Sequence, residues 1–523
     1  MQKPPSSSPA ADVPGKILPY EQASGFLESL RAKGLRIIQC HGTFDLIHPG
    51  HIVHLEEAKS LGDILVVTVT DAQHVNKGPG RPCFNDELRA RTLAALECVD
   101  YVVLIPHTAA VEAIRLVKPA IYCKGTEYED AGNDVTGNIH DDVSEVQAHG
   151  GEIRYIGSVV YSSTTILNRH FDHIPESVKA FCRDLASRIS FPEFRKMVDS
   201  FQDLKVLVIG DTIIDQYAYL QVQGLTSKNR MISGRFLRQD TQLGGALAVV
   251  RHVKEFCGQV RFLSLLGAEP WVEELLGGAL TPGEDATVRD PDFTTVVKKR
   301  YVEPVQQGNE ISKLFSVNYL DNTPPSDATR RRLAEAIREE LRSCDLVLLA
   351  DFGHGLMQPE LRELIQEEAP FLMLNCQTNS NNHGFNIITR QYRRADAFSL
   401  DLQEIMLSCG QRHPDGAAEL RAIADRFGSK YAWLTRGNIM TIGHTPGAAA
   451  VHIPPLVTDV TDTVGAGDAF FSLAGLAAVR GLPLDAATFL GQLAGAQAVN
   501  IVGNEHPISK ATLLKTATSL LSF

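Results

Sequence analysis

The chain has 523 residues, 44% hydrophobic and 21% charged, which is more than a single core ordinarily serves and typical of folded globular domains. Its formal net charge of -12 excludes the broad basic face of a nucleic-acid binder. Nine cysteines without a C-x-x-C pair suit neither a disulfide framework nor a zinc knuckle and point to a reducing cytoplasm, while no uninterrupted apolar run has the length of a membrane helix.

Residues 1–17, rich in Pro, Ser and Ala, read as a disordered tail. An amphipathic helix is expected over 18–33, and Leu35 to Cys40 reads as a buried strand. Strands at 64–69, 101–105 and 120–123 then alternate with helices at 85–96 and 110–117, a strand is expected at 152–156, and a closing helix opens near Ser163. Such alternation predicts a parallel sheet covered on both faces, in a domain spanning 18–170. A helical linker is expected over 171–200. From Lys205 a second alternation begins, with strands at 346–350, 371–374, 397–400 and 431–434, giving a second doubly wound domain over 201–523. The polar stretches 217–242 and 294–319 suit small antiparallel strands projecting from that sheet as a lid.

Two segments carry chemistry. In His41-Gly42-Thr43-Phe44-Asp45-Leu46-Ile47-His48-Pro49-Gly50-His51, Gly42 permits close backbone approach to a ligand, and Pro49-Gly50 stands where the loop turns into a helix. His48 and His51 share one end of that helix and can donate hydrogen bonds to the phosphates of a nucleoside triphosphate as pyrophosphate leaves. With His54 they also recur at metal-ligand spacing, the competing reading, although no aligned carboxylate or cysteine accompanies them. In Asp462-Thr463-Val464-Gly465-Ala466-Gly467-Asp468, backbone N–H groups of Gly465, Ala466 and Gly467 can hold phosphate oxygens, with Asp468 as the base for an attacking hydroxyl. A glycine-rich helix start without phosphate chemistry is the alternative.

The first motif, with Gly42, Thr43, Phe44, His48 and His51, resembles the G-x-F-D-x-x-H-x-G-H pattern of cytidylyltransferase-like nucleotidyltransferases. The resemblance extends over about 34–170. It implies phosphate-binding roles for Lys77, Arg81 and Arg89, for Lys124 in Lys124-Gly125-Thr126-Glu127-Tyr128, and for Ser163 and Thr164, which could equally cap a helix. The second motif resembles the D-T-x-G-A-G-D signature of ribokinase-like carbohydrate kinases, over about 206 to the C-terminus. That likeness implies sugar contacts at Asp211, Asp215, Gly244 and Gly245, a loop near the phosphates at Asp351, a nucleotide-side loop at Thr435 and Gly437, and magnesium support from Asp401 and Glu404. An Asp ending a strand can also merely cap a turn, and the amide-rich loop 375–382 suits either a pocket or turn chemistry. Ala248 stands where heptose kinases tend to have Asn, and Asp401 where the family's magnesium segment has Asn.

Together the parts resemble those of bifunctional heptose kinase/adenylyltransferases, in which the kinase usually comes first. The implied fold class is α/β, an N-terminal Rossmann-like nucleotidyltransferase followed by a ribokinase-like kinase with a small β lid. The implied activity is phosphorylation of a sugar or sugar phosphate by ATP with Mg2+, then transfer of a nucleotidyl group from ATP or CTP to make a nucleotide-activated sugar. Lid strands in such kinases can mediate a homodimer. A kinase-like half that only senses sugar and regulates the transferase is the alternative that Ala248 and Asp401 suggest.

Overall fold

The computed structural model describes residues 15–75, 82–126, 139–157, 175–304, 311–321, 323–457 and 460–521. It divides into two units, one running to Pro175 and including the segment from Leu514, the other spanning Glu176–Leu513.

In the first unit six parallel strands, β1 (Ile17–Leu18), β2 (Ile37–Gly42), β3 (Ile64–Thr70), β4 (Tyr101–Ile105), β5 (Ile121–Gly125) and β6 (Glu152–Ile156), lie in the order β1-β4-β3-β2-β5-β6. Strand residues alternate between two cores. Ile38, Leu65, Val67 and Val102 pack with Leu55 and Leu93 of the helices Pro49–Ser60 and Asp86–Ala94, while Ile37, Val66 and Val103 pack with Leu27 and Val117 of Tyr20–Ala32 and Ala110–Val117. Truncating one of these buried leucines to Ala would cost about 2–5 kcal/mol. The chain runs from β2 outward to β4, then crosses to β5 on the other side. The gap between β2 and β5 is therefore the point where strand order reverses, the place where open α/β sheets bind ligands beyond their strand ends.

The first sheet begins before the expected boundary. Ile17 and Leu18 pair with Val102 and Val103, and the Lys16 ammonium donates to the carbonyls of Leu96 and Val99 at 3.1 and 2.7 Å. Lys16 and Ile17 thus belong to the sheet edge rather than a tail, and the helix starts at Tyr20.

The second unit is built on an eight-stranded sheet of β7 (Lys205–Gly210), β10 (Gln259–Leu263), β15 (Leu346–Asp351), β16 (Leu372–Cys376), β17 (Ala397–Asp401), β18 (Tyr431–Thr435), β19 (Thr441–His444) and β20 (Val451–Ile453), ordered β10-β7-β15-β16-β17-β18-β19-β20. All pairs are parallel except the last two, which add an antiparallel edge. β11 (Leu265–Leu266) and β12 (Val288–Arg289) form a small separate pair. Here the order reverses between β7 and β15. The near-continuous apolar runs of β7, β15 and β16 are buried on both faces, as a sheet sandwiched by helices requires.

Above this sheet lies a four-stranded lid ordered β14-β13-β8-β9, from β8 (Thr212–Leu225), β9 (Ile232–Gly245), β13 (Val296–Pro304) and β14 (Ile311–Tyr319). Each of the two expected stretches forms an antiparallel pair, β8–β9 and β13–β14, and the pairs join through β13, which runs parallel to β8. A hairpin turn joins β8 to β9, whereas β13 arrives from the main body in the same sense as β8, which only a parallel pairing accommodates.

The helices Glu176–Arg188 and Phe191–Asp199 belong to the second unit. The latter opens with a Ser190/Glu193 capping box, and its Phe194 ring meets Phe489 edge-on at 5.6 Å. Most of the stretch read as linker is thus packed structure.

Candidate functional site

In the first unit β2 ends at Gly42, and Phe44 follows with φ of 46°, its ring folding back to within 3.2 Å of where a Gly42 side chain would begin. Left-handed backbone at a bulky residue costs about 1–2 kcal/mol and persists only where its surroundings enforce it. Enforcement comes from beneath. The buried Arg89 guanidinium donates to the carbonyls of Thr43 and Thr70 at 2.6 and 2.9 Å and to Asp86 at 2.5 Å. Arg89 is thereby a loop anchor, which corrects its expected phosphate contact. Asp45 accepts from the Phe84 N–H at 3.1 Å.

His48 is the N-cap of the helix Pro49–Ser60 but makes no side-chain cap; its carbonyl takes the N–H groups of His51 and Ile52 at 2.9 and 3.3 Å and Pro49 has none, so Gly50 is the first-turn residue whose N–H can meet a ligand. The His48 and His51 rings stack at 4.0 Å, and Phe44 tilts on His51 at 5.4 Å. Burial lowers the His48 pKa, so at neutral pH it is an uncharged imidazole. His41, held by the hydroxyls of Thr68 and Thr70 at 3.0 and 3.3 Å, drops to about 3 through burial and the nearby Lys124 charge. Lys124, next to last in β5, stands across the reversal point and pairs with Asp142 at 2.9 Å. His54 turns elsewhere, to Cys40 Sγ at 3.6 Å and the Ile156 carbonyl at 3.3 Å, so the three histidines form no metal cluster; none exists among the described residues. Lys77, Arg81, Ser163 and Thr164 lie outside the described residues.

In the second unit Gly465 adopts φ of 84° and opens the helix Ala466–Val479 without a side-chain cap, so that helix too offers N–H groups at its start. A side chain at Gly465 would meet Asn504 Oδ1 at 2.5 Å. Asp462 pins the turn. It accepts from Val464 N at 3.1 Å, Gly503 N at 3.0 Å, the Tyr217 hydroxyl of β8 at 3.0 Å and the Lys313 ammonium of β14 at 2.6 Å. Although burial pushes its pKa up, these donors, Lys313 first, hold it low, so Asp462 stays ionised. Asp468, in the first turn, is pushed up to about 7 by burial and by the charge of Asp215, with Lys298 opposing. A carboxylate of that pKa can take and return a proton near neutrality.

Asp215 faces the same space. Its carboxylate bonds Arg300 and lies 3.4 Å from the Asn504 amide, and a side chain at Gly244 would begin 2.1 Å from its Oδ2. The glycine pair is therefore needed where Asp215 comes through, with Gly245 at φ of 59° turning β9 into the helix Ala246–Lys254. Ala248 is buried on that helix. An asparagine does stand beside Asp215, but it is Asn504.

Other expected site residues are structural. Asp211 accepts from the N–H groups of Phe352, His354 and Leu356 at 3.0, 3.4 and 3.3 Å, and burial with the neighbouring Asp351 pushes it up to about 7. Asp351 is bonded by the Tyr392 hydroxyl at 2.6 Å, Arg362 at 3.2 Å and Gly353 N at 2.9 Å. Both carboxylates are spent on holding the 352–356 loop across the reversal point, where a sugar contact was expected of Asp211 and a place near the phosphates of Asp351. Asp401 and Glu404 form a capping box on the helix Leu402–Cys409, and Glu404 also takes Thr378 N at 3.1 Å. Burial, then Asp401, raises Glu404 to about 8. A protonated or cap-bound pair does not fit a magnesium site. The amide-rich loop is likewise turn chemistry: Asn379 and Asn382 both donate to the Phe352 carbonyl at 2.8 Å. Thr435 ends β18 with its hydroxyl 3.4 Å from the Leu400 carbonyl, and Gly437 has φ of 51°.

Missed by the sequence reading were Lys298, Arg300, Tyr217, Lys313 and Asn504. The lysine and arginine alternate on β13 opposite Asp215 and Tyr217, a signal visible only once the β8–β13 register is known.

Residues 40–183 match the cytidylyltransferase-like family model and residues 390–511 the pfkB family carbohydrate kinase model. Among curated proteins, Bifunctional protein HldE of Gluconobacter oxydans is 37% identical over 166 residues, 31% of this chain and 33% of that one. Bifunctional protein HldE of Pseudomonas syringae pv. syringae is 38% identical over 156 residues, 29% and 31% of the two chains. The chain thus spans about a third of the length of the curated relatives it matches. A solved phosphofructokinase-2 from Escherichia coli, in complex with substrates and products, superposes with a TM-score of 0.49 at 14% identity, covering 61% of this chain and 99% of that one. No described helix is long and apolar enough to cross a membrane.

Proposed function

We propose that this chain is a bifunctional transferase, a sugar or sugar-phosphate kinase joined to a sugar-phosphate nucleotidyltransferase, whose product is a nucleotide-activated sugar of the ADP-heptose kind. The observation that carries the kinase half is Asp468, a carboxylate with a pKa near 7 in the first turn of an uncapped helix, facing Asp215 of the lid. A sugar hydroxyl held by Asp215 gives its proton to Asp468 as its oxygen attacks the γ-phosphorus of ATP, and ADP leaves. The helix-start N–H groups at 465–467 hold the phosphoryl oxygens during transfer. No step is assigned to a protein-bound magnesium, because Asp401 and Glu404 are consumed by the helix cap.

In the transferase half a sugar-phosphate oxygen attacks the α-phosphorus of ATP or CTP, and pyrophosphate leaves. His48 and His51, stacked at the start of their helix, donate to the departing phosphates, with Lys124 across the β2–β5 gap. The intact 462–468 geometry favours this reading over a kinase-like half that only senses sugar.

A screen of nucleoside triphosphates against sugar phosphates, with mass detection of the nucleotide-sugar, tests it. Formation of a nucleotide-sugar from a sugar monophosphate with release of both ADP and pyrophosphate is expected. Sugar binding with no ADP formed across the panel would point instead to the sensing role.

A further inference from the structure

The lid and the 462–468 turn meet at one buried carboxylate. Among the described residues Asp462 takes four donors, two on each oxygen, and each oxygen takes one from the lid and one from the backbone. Oδ1 accepts from the Lys313 ammonium of β14 at 2.6 Å and from Val464 N inside the turn at 3.1 Å. Oδ2 accepts from the Tyr217 hydroxyl of β8 and from Gly503 N, both at 3.0 Å. The Asp462 side chain has no exposed surface, whereas that of Lys313 is 41% exposed. The ammonium can therefore leave for water, and the carboxylate cannot.

Lys313 reaches Asp462 because β14 is irregular. Phe315 pairs with Tyr301 but Lys313 pairs with Val302, so Leu314 is an extra residue bulging between them. In a regular strand the partner of Lys313 would be Glu303, and its side chain would share the face of the stacked Tyr301 and Phe315 rings, where Phe315 is exposed. The bulge turns it instead to the face of Val302, which packs with Tyr217, Tyr219, Ile311 and Val502. Asp215 and Tyr217 are alternate residues of β8, so the strand that carries Asp215 also holds the turn. Gly465 and Gly467 give that turn little stiffness of its own, and a buried carboxylate stripped of its lid donors would no longer fix it.

We propose that Lys313, with Tyr217, is a positioning residue that ties the lid to the 462–468 turn, so that the turn is set to receive a phosphoryl group only while β14 lies against Asp462. Its catalytic consequence rests on the kinase reading; the tie itself does not.

Hydrogen exchange read by mass spectrometry on the full chain, without ligand, tests the tie, and ADP formation is followed in parallel. Lys313→Met is expected to speed exchange about tenfold in peptides covering 462–468 and 500–506 and to leave those over β15 and β16 unchanged. Lys313→Arg, which keeps a cation, should retain most of the protection, and Tyr217→Phe should lose part of it. In the same Met variant kcat for ADP formation should fall about tenfold with the KM for the acceptor sugar unmoved, and pyrophosphate release should not change. Lys313→Gln, with thermal melting, serves if the Met variant folds poorly. Exchange over the turn unchanged in both Lys313→Met and Lys313→Gln, or faster by the same factor over β15 and β16, would overturn the inference, as would an unaltered kcat in a chain that forms ADP. Faster exchange confined to the two turn peptides, in a chain that forms no ADP even as wild type, would uphold the tie and overturn the kinase reading instead.

Discussion

Asp468 gives a stability signature distinct from its catalytic one. Its pKa rises from 3.8 to about 7 through burial first and Asp215 second. Between those values the native state binds a proton that the unfolded chain has released, so stability falls as pH climbs through this window, and the full cost is present above it. A rise of about three units at about 1.36 kcal/mol each sets a ceiling of roughly 4 kcal/mol. Asp468→Asn cannot ionise and escapes that cost. The variant should melt a few degrees higher than wild type at pH 8, with the difference shrinking toward pH 4. Scanning calorimetry at a series of pH values reads this, following the transition that belongs to the second unit, since two units need not unfold together. Equal melting temperatures at pH 8, or a gain as large at pH 4 as at pH 8, would refute the claim that Asp468 sits ionised at a cost.

The same group fixes the rate profile: ADP formation should rise about tenfold per pH unit up to about pH 7 and level off above it, as stopped-time assays of ADP against pH would show. Gly244→Ala puts a methyl 2.1 Å from Asp215 Oδ2, so the KM for the acceptor sugar should rise at least tenfold while pyrophosphate release is unchanged. Arg89→Met leaves the carbonyls of Thr43 and Thr70 and the Asp86 carboxylate without their shared donor. The first unit should lose about 3–5 kcal/mol in denaturant melts, and pyrophosphate release should fall with it.

Strand and helix alternation was legible because a parallel sheet covered on both faces needs long apolar runs, and those at 64–70, 205–210 and 346–351 have them. The two turns expected to handle phosphate stand at helix starts without a side-chain cap, which Pro49-Gly50 and Gly465-Ala466-Gly467 make legible as local features. Roles decided by distant partners were not legible. Asp211 ends its strand as a sugar-binding aspartate would, and only N–H groups some 140 residues later show that it anchors a loop. Asp401 and Glu404 carry the spacing of a helix cap as well as that of a metal segment, and the cap is what forms. Lys298 and Arg300 look like an ordinary solvated pair until β13 is laid parallel to β8, because a one-residue slip would send both to the other face of the lid.

The central claim, two separate phosphate chemistries on one chain, is tested most directly by measuring ADP and pyrophosphate side by side in two variants. Asp468→Asn should lose ADP formation and still release pyrophosphate from a supplied sugar 1-phosphate, whereas His48→Ala/His51→Ala should do the reverse. Loss of both products in either variant, or of neither in both, would contradict it.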